Sequence, residues 1–367
     1  MKSITSLRSL YAGAFCLAAV LGIQSCGNSS SAADDGNEVI VFDDLDIETH
    51  DQLNLDDYDI ILLSSDNEDC LLRWNSKTVV HDGRIYILDG LRATETKLAV
   101  FDLQGNAIGT IGSRGQGPEE YARLSDFFIT NDGSVNIYDP GVKILKYDSE
   151  GNYTGSTPIE IQNKAITQLP NGNFLVSVAL WDVSSASPYS LVLTDPSFNV
   201  IEGLVHRPEN FDTEYGSGSS HMYANSKGQY AFNSDFSNDI HIVNSEGKPE
   251  RVITIDFGVL NFPDEEKVNL YDHEDRLLKY RYIAGPVFYE EGHLWFSLVD
   301  RMSYKWVYMD IDKKAAHMYD ANSIIKSYHN GYPIITNENY EAGDFTVSDS
   351  LEQKIEEGDY HILAIHK

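Results

Sequence analysis

Three glycines, a proline, an arginine, two glutamates and a tyrosine sit together in GSRGQGPEEY, residues 112–121. Glycine-rich runs bare their backbone N–H groups and can cradle phosphate, while Arg114, Glu119, Glu120 and Tyr121 supply charge and proton donors. Each phosphate chemistry also needs a context. A P-loop requires Lys-Ser/Thr after its glycines and then a helix; a dinucleotide fingerprint requires G-x-G-x-x-G between a strand and a helix. Here Gly112, Gly115 and Gly117 are followed by Pro118 and a further strand pattern, so neither phosphate reading holds. The sequence contains no G-x-S-x-G elbow, no H-E-x-x-H and no close Cys/His cluster, and its eleven histidines are scattered. DDLDIETHD (43–51) and DIDKK (310–314) are acid-rich, lack EF-hand spacing and glycine, and read as solvated loops.

The elements around this stretch repeat. A polar turn with a glycine, then an alternating strand, recurs in HDGRIYILD (81–89), NDGSVNIYD (131–139), PNGNFLVSV (170–178), SKGQYAFNS (226–234), EEGHLWFSL (290–298) and HNGYPIITN (329–337). Tight hairpin turns need φ > 0, which glycine supplies. A second strand–turn–strand module follows, as in KLAVFDLQGNAIGTIG (97–112), KILKYDSEGNYTGSTP (143–158), SLVLTDPSFNVIEGL (190–204) and DIHIVNSEGKPERVITI (239–255). KWVYMDIDKKAAHMY (305–319) is a weaker copy without the turn glycine. One unit is therefore two hairpins, and the turn glycines lie 50, 39, 56, 64 and 39 residues apart. That period and strand count match propeller blades. The expected fold is all-β: a six-bladed β-propeller of four-stranded antiparallel blades.

The sixth unit lacks an adjacent second hairpin. SDSLEQKIEEG (348–358) reads as a short helix and DYHILAIHK (359–367) as a strand. The ring is then closed in the last blade by strands from both chain ends, which removes exposed sheet edges. Residues 39–42 of NEVIVFDD are the favoured partner, with DIILLSS (59–65) as the alternative.

The chain ends carry an address. Lys2 and Arg8 precede an apolar run from Leu10 to Ile23, too short for a permanent membrane span. The run ends in GIQSC, which resembles a bacterial lipobox, so residues 1–25 read as a lipoprotein signal peptide and Cys26 as the lipidated first residue. Residues 26–38 read as a flexible tether and 39–367 as the propeller. The formal net charge of −30 becomes −32 once Lys2 and Arg8 leave with the signal, and no basic patch offsets it, so nucleic acid is excluded as a partner. Outside Cys16 and Cys26 only Cys70 remains, so no intrachain disulfide forms in the folded body.

KLAVFDLQGNAIGTIGSRGQGPEEYARLSDFFI resembles a family of six-bladed β-propeller lipoproteins of the Bacteroidetes, related in shape to NHL/TolB-like propellers. Its marks are an IG-x-x-G-x-GP-x-EY run (Ile111 to Tyr121), an apolar strand (Phe127 to Thr130) and an IYD strand (Ile137 to Asp139). The usual Asn-Pro before the last strand is replaced by Gly358-Asp359. The resemblance implies the fold and a cell-envelope address; members mostly lack an assigned activity.

Within such a propeller GSRGQGPEEY links blade one to blade two, over the face where ligands bind. Gly115, Gly117 and Pro118 are expected to shape this link, with Gly115 and Gly117 in conformations closed to residues bearing a Cβ. Tyr121 pins it, and Arg114 has Glu119 or Glu120 as ion-pair partner. The same face is expected to carry Arg123, Lys164, His221, Tyr223, Arg281 and Tyr282, with Trp181 and Tyr189 beside an inserted loop in blade three. Arg114, Glu120, Tyr121, Arg123, Trp181, His221, Tyr223, Arg281 and Tyr282 form the candidate ligand surface, since aromatics with Arg and His suit a glycan or peptide. The function expected is an outer-membrane lipid-anchored binding or scaffold module for a glycan, peptide or partner protein, with no catalytic residue and no cofactor. Two alternatives stay open: a six-bladed hydrolase or lactonase holding a divalent cation in the central channel, and a structural subunit of an outer-membrane assembly.

Overall fold

A computed structural model describes residues 37–51, 53–90, 96–207, 221–321, 325–336 and 361–367. The signal segment, Cys26, all of the tether but its last two residues and the helix expected at 348–358 lie outside the described residues. Three strands come first: β1 (Asn37–Val41), β2 (Asp46–His50) and β3 (Tyr58–Leu63). Blade one follows as β4 (Asn75–His81), β5 (Arg84–Asp89), β6 (Lys97–Asp102) and β7 (Ala107–Ile111). Blade two is β8 (Asp126–Ile129), β9 (Val135–Asp139), β10 (Lys143–Tyr147) and β11 (Tyr153–Pro158). Blade three is β12 (Asn163–Gln168), β13 (Phe174–Val178), β14 (Tyr189–Thr194) and β15 (Val200–His206). In blade four the inner position is held by residues 221–225, bridged from Ala224 to Tyr230, before β16 (Tyr230–Asn233), β17 (Asp239–Val243) and β18 (Pro249–Asp256). Blade five is β19 (Arg281–Glu290), β20 (His293–Asp300), β21 (Ser303–Asp310) and β22 (Ala315–Asp320). Blade six holds β23 (Tyr328–His329), β24 (Tyr332–Pro333), β25 (Ile335–Thr336) and β26 (His361–His366). Strands within each blade are antiparallel and ordered from the inside out, and no α-helix occurs among the described residues.

The turn chemistry explains the repeat. All six marker glycines, at 83, 133, 172, 228, 292 and 331, take φ between 72° and 89°. In three turns the preceding residue is left-handed too (Asp82, Glu291 and Asn330), the type I′ geometry that matches strand twist. The second-module turns are held by side chains. Asp102 Oδ1 accepts from Gln104 and Asn106 N–H, while Asn106 Nδ2 donates to Oδ2 at 2.8 Å. Asp148 with Asn152 and Asp195 with Asn199 repeat this arrangement. The Asn side chains hold all three carboxyls below the ordinary aspartate range.

The apolar core lies between blades, not inside them. Tyr86, Leu88 and Val100 of blade one pack on Phe127, Ile137 and Leu145 of blade two. Ile240, Ile253 and Ile255 of blade four pack on Phe296, Val307 and Met309 of blade five. Each such buried side chain contributes about 1.5–3 kcal/mol, so the blades stabilise one another.

Ring closure departs from the favoured expectation. β3 pairs antiparallel with β26, from His361↔Leu63 to His366↔Tyr58, and forms the outer strand of blade six. Residues 39–42 instead leave the last blade alone: β1 lies parallel on β18 at the rim of blade four, and Phe42 enters the core between blades four and five. The physical reason is chain length. β3 ends at Leu63 and β4 begins at Asn75, a link short enough to pass from one blade's rim to the next blade's inner strand. DDLDIETHD is also corrected, because Asp46–His50 is not a solvated loop. It is β2, paired parallel with β22 as a fifth strand of blade five. Residues 37–51 and 53–63 thus run as a strap along the rims of blades four, five and six.

Candidate functional site

Every inner strand starts, and every second strand ends, at one end of the ring, and the links between blades cross that same end, here termed the link face. The inner strands carry charged residues there into the channel. Lys77 Nζ of β4 donates to Asp126 Oδ1 of β8 at 2.7 Å and to the Phe127 carbonyl at 2.6 Å. Asp126 Oδ2 accepts from Ile166 N–H of β12 at 3.2 Å. From blade four, His221 places Nδ1 3.9 Å from Asp126 Oδ1. From blade six, Ser327 Oγ accepts from Thr78 N–H at 2.9 Å, and Tyr223 donates to the Lys326 carbonyl at 3.3 Å. Five blades therefore meet through one buried polar network.

Burial governs its protonation. Desolvation pushes the Asp126 carboxyl up, opposed by the ammonium of Lys77. Desolvation and the charge of Lys77 together push His221 well below the usual imidazole range, so its ring is neutral. His221 Nδ1 and both amide atoms of the buried Asn163 make no hydrogen bond among the described residues. Buried polar atoms of this kind are met by water or by a ligand.

The link-face loops are riveted by aspartates at the ends of second strands. Asp89 Oδ1 accepts from the N–H groups of Arg73 and Trp74, both at 2.7 Å. Asp139, of the IYD strand, accepts from Ala122 at 2.9 Å and Arg123 at 3.2 Å. Asp182 accepts from Gln162 at 2.8 Å, and Arg207 donates to the carbonyls of Ala179 and Leu180 at 2.8 and 2.7 Å. These fixed loops hold Leu71, Trp74, Trp181 (58% exposed) and Val183 (91%) out in solvent, and the link between blades four and five adds Val259 (95%) and Leu278. Val142 and Met302, on the corresponding loops of blades two and five, add to them. At the opposite end the turns expose Leu103 and Tyr332. Between blades three and four the link face also opens a cavity of about 370 Å³, lined by His206, Asp235, Asp239, His241, Asp264 and Lys267. Lys164 forms an ion pair with Asp235 at its wall.

The GSRGQGPEEY link is a closed knot. Gly115 N–H donates to Tyr121 O at 3.0 Å, and Tyr121 N–H donates to Ser113 O at 3.1 Å. Glu120 folds inward, its Oε2 accepting from Gly117 N–H at 2.8 Å, instead of pairing with Arg114. Tyr121 is buried in the core between blades one and two. Gly112 alone takes a left-handed φ, 70°. Gly115 and Gly117 do not, contrary to expectation; they are glycine because Glu120 fills the space. A Cβ on Gly115 would meet Glu120 Oε2 at 1.9 Å, and one on Gly117 would meet it at 3.1 Å. Pro118 and Glu119 offer carbonyls to Lys143 Nζ (3.1 Å) and the Tyr147 hydroxyl (2.9 Å).

The nine candidate residues are not gathered into one site. Arg114 and Trp181 stand exposed on the link face. Arg123, also exposed, donates to the Pro140 carbonyl at 3.1 Å. His221 and Tyr223 belong to the channel network, while Glu120 and Tyr121 are internal to the knot. Arg281 points to the strap, 3.1 Å from Asp300 Oδ2, 3.5 Å from Asp43 Oδ1 and over the Phe42 ring. Tyr282 is buried with Phe236 and Phe262, and Tyr189 packs its ring at a tilt against His206. Sequence reasoning missed Lys77, Asp126 and Asp235. The signal available was a charge set inside an apolar inner strand, NSKTVVH and DFFI.

A family model described as "Domain of unknown function (DUF4934)" matches residues 47–365. Among solved structures, a Bacteroides fragilis "Putative exported protein" is 19% identical with a TM-score of 0.69, covering 90% of this chain and 99% of that one. A member of the duf4221 family from Bacteroides vulgatus is 9% identical with a TM-score of 0.55, covering 84% and 96%. Both likenesses show the propeller fold. A comparison with the curated proteins finds no match.

Proposed function

This chain belongs to the DUF4934 family, and from that premise we propose that it is an exported, envelope-anchored propeller that binds or scaffolds a polymeric partner through its link face. The observation that carries this reading is the set of exposed apolar side chains, Trp74 and Trp181 foremost, fixed on that face by Asp89, Asp182 and Arg207. Rigid, exposed aromatics are the anchors from which interfaces are built. A flat indole also stacks on a sugar face, and the polar cavity beside Asp235 supplies orienting groups for a glycan, peptide or partner protein.

The address rests on Leu10 to Ile23, GIQSC and Cys26, and on the similar Bacteroides fragilis protein being described as exported. Lipid on Cys26 holds the propeller at the outer membrane on a short tether. The alternative of a metal-dependent hydrolase needs several open carboxylate or amide oxygens around the channel. The Asp126 carboxylate there is engaged by Lys77 and Ile166, and the amide oxygen of Asn163 alone does not make up the set of several that such an ion needs, which favours binding over hydrolysis.

The test uses the folded full chain against envelope protein extracts and a glycan array, beside a Trp74→Ala/Trp181→Ala variant. We expect a defined protein or glycan to be retained, with affinity falling at least ~10-fold in the variant, as for two anchor residues. No retention by folded protein overturns the reading, as does turnover of lactones or esters.

A further inference from the structure

Outside the link face, the strap and blade five bring together two imidazoles and a carboxylate. Glu48 and His50 alternate along β2 and therefore share one face, and His317 of β22 is the registered partner of Glu48. His50 Nε2 lies 3.1 Å from His317 Nδ1. Glu48 Oε2 lies 3.4 Å from His317 Nδ1 and 3.9 Å from His50 Nε2. A point equidistant from these three atoms sits about 2.0 Å from each, worked from the three separations. Zinc bonds to histidine nitrogen at about 2.0–2.1 Å and to carboxylate oxygen at about 2.0–2.2 Å.

We propose that Glu48, His50 and His317 bind a divalent transition-metal ion of the zinc class, which clamps the N-terminal strap to blade five. Two facing imidazole nitrogens at this distance share a proton or a metal cation, and the Glu48 carboxylate beside them completes a donor set of the kind zinc takes. The rings are held in place for it: His50 stacks on Tyr319 at 5.0 Å, His317 on Tyr308 at 6.2 Å, and Tyr308 in turn on His293 at 5.5 Å. All three ligands are open to solvent, so an ion can reach them from outside. The strongly acidic chain raises the local cation concentration. The clamp goes beyond the binding role of the link face and does not depend on it.

The experiment takes the full chain, strips it with chelator and titrates Zn²⁺ by calorimetry and Co²⁺ by visible absorption. The comparison set is His50→Gln, His317→Gln and Glu48→Gln, with His81→Gln, at the end of β4 in blade one, as a control outside the site. We expect one ion per chain, an affinity loss of at least ~10-fold in each ligand variant, and an unchanged control. Zn²⁺ should also raise the thermal midpoint of the native chain and the control, and not that of the two histidine variants, provided circular dichroism shows them folded. Absence of stoichiometric uptake by the native chain overturns the proposal. So does uptake that survives both histidine variants, or a zinc-dependent midpoint shift that they retain.

Discussion

Replacing Lys77 with Met keeps the aliphatic stem and removes the charge that faces Asp126. Both side chains are almost wholly buried, at 6% and 1% exposure, so no solvent replaces the lost ammonium. Stranding one partner of a buried ion pair costs about 3–5 kcal/mol. The carboxyl can limit that cost by taking a proton. Folding Asp126 neutral at pH 7 costs about 1.36 × (7.0 − 3.9), or about 4 kcal/mol, against an unfolded pKa near 3.9. The native chain already carries part of that cost, because burial raises Asp126 there too, so the second figure is a ceiling and the loss expected at pH 7 is about 3–4 kcal/mol.

The pH dependence is the sharper consequence. In the variant the folded pKa of Asp126 rises further above its unfolded value, because burial remains and Lys77 no longer opposes it. A raised pKa means that the folded state binds the extra proton. The stability this gives is complete below about pH 3.9 and is lost as pH rises from there toward the folded pKa. The gap between native chain and variant should therefore widen with pH, by up to about 1.4 kcal/mol per pH unit, once the pH passes the native chain's own raised Asp126 pKa. Urea unfolding followed by circular dichroism at pH 5, 6, 7 and 8 measures it, and taking the difference cancels the general repulsion of an acidic chain. A Lys77→Met/Asp126→Leu double variant should recover most of the loss, since an apolar replacement of both partners leaves no stranded charge. A gap below about 1 kcal/mol at pH 7, or one flat across this range, would refute the reasoning that the network is a sealed ion pair.

Three further outcomes follow from single features. Gly115→Ala sets a Cβ 1.9 Å from Glu120 Oε2, the free end of a flexible side chain, which can swing away at the loss of its bond to Gly117, so stability should fall by about 0.5–1.5 kcal/mol; adding Glu120→Ala should cost little more, and thermal unfolding of the three variants checks the order. Asp139→Ala strands the N–H groups of Ala122 and Arg123 and should cost about 1–3 kcal/mol, with faster amide exchange confined to the link 112–125. Cys26→Ala should move the protein from the membrane fraction to the soluble fraction on cell fractionation; retention in membranes would mean that Cys26 is not the anchor.

The fold was legible because its signals are local. A left-handed glycine between two alternating strands, and an aspartate bonding its own turn two and four residues on, are decided within ten residues and recur down the chain. The channel was not legible for the converse reason. Lys77, Asp126 and His221 are ordinary surface residues by type, and only the closed ring sets them against one another. The knot lies between these cases: GSRGQGPEEY announced itself by composition, but composition could not separate a carboxylate aimed at a ligand from one aimed at its own backbone. Glu120 does the second, and the glycines around it mark the volume that its side chain occupies.

Ring closure shows which further constraint the sequence did hold. NEVIVFDD and DIILLSS have the same strand character, so side-chain pattern could not choose between them. Connection length could. The chain must pass from the rim of the last blade to the inner strand of the first, and Tyr58–Leu63 ends close enough to Asn75 to do so. β1 and β2 are then surplus to closure and pair parallel on rims that are already complete. Little apolar surface holds β2, whose sequence DIETH buries none of its five residues. A strand so weakly held by packing is one for which a bond through Glu48 and His50 would matter, and the imidazole of His317 faces both of them.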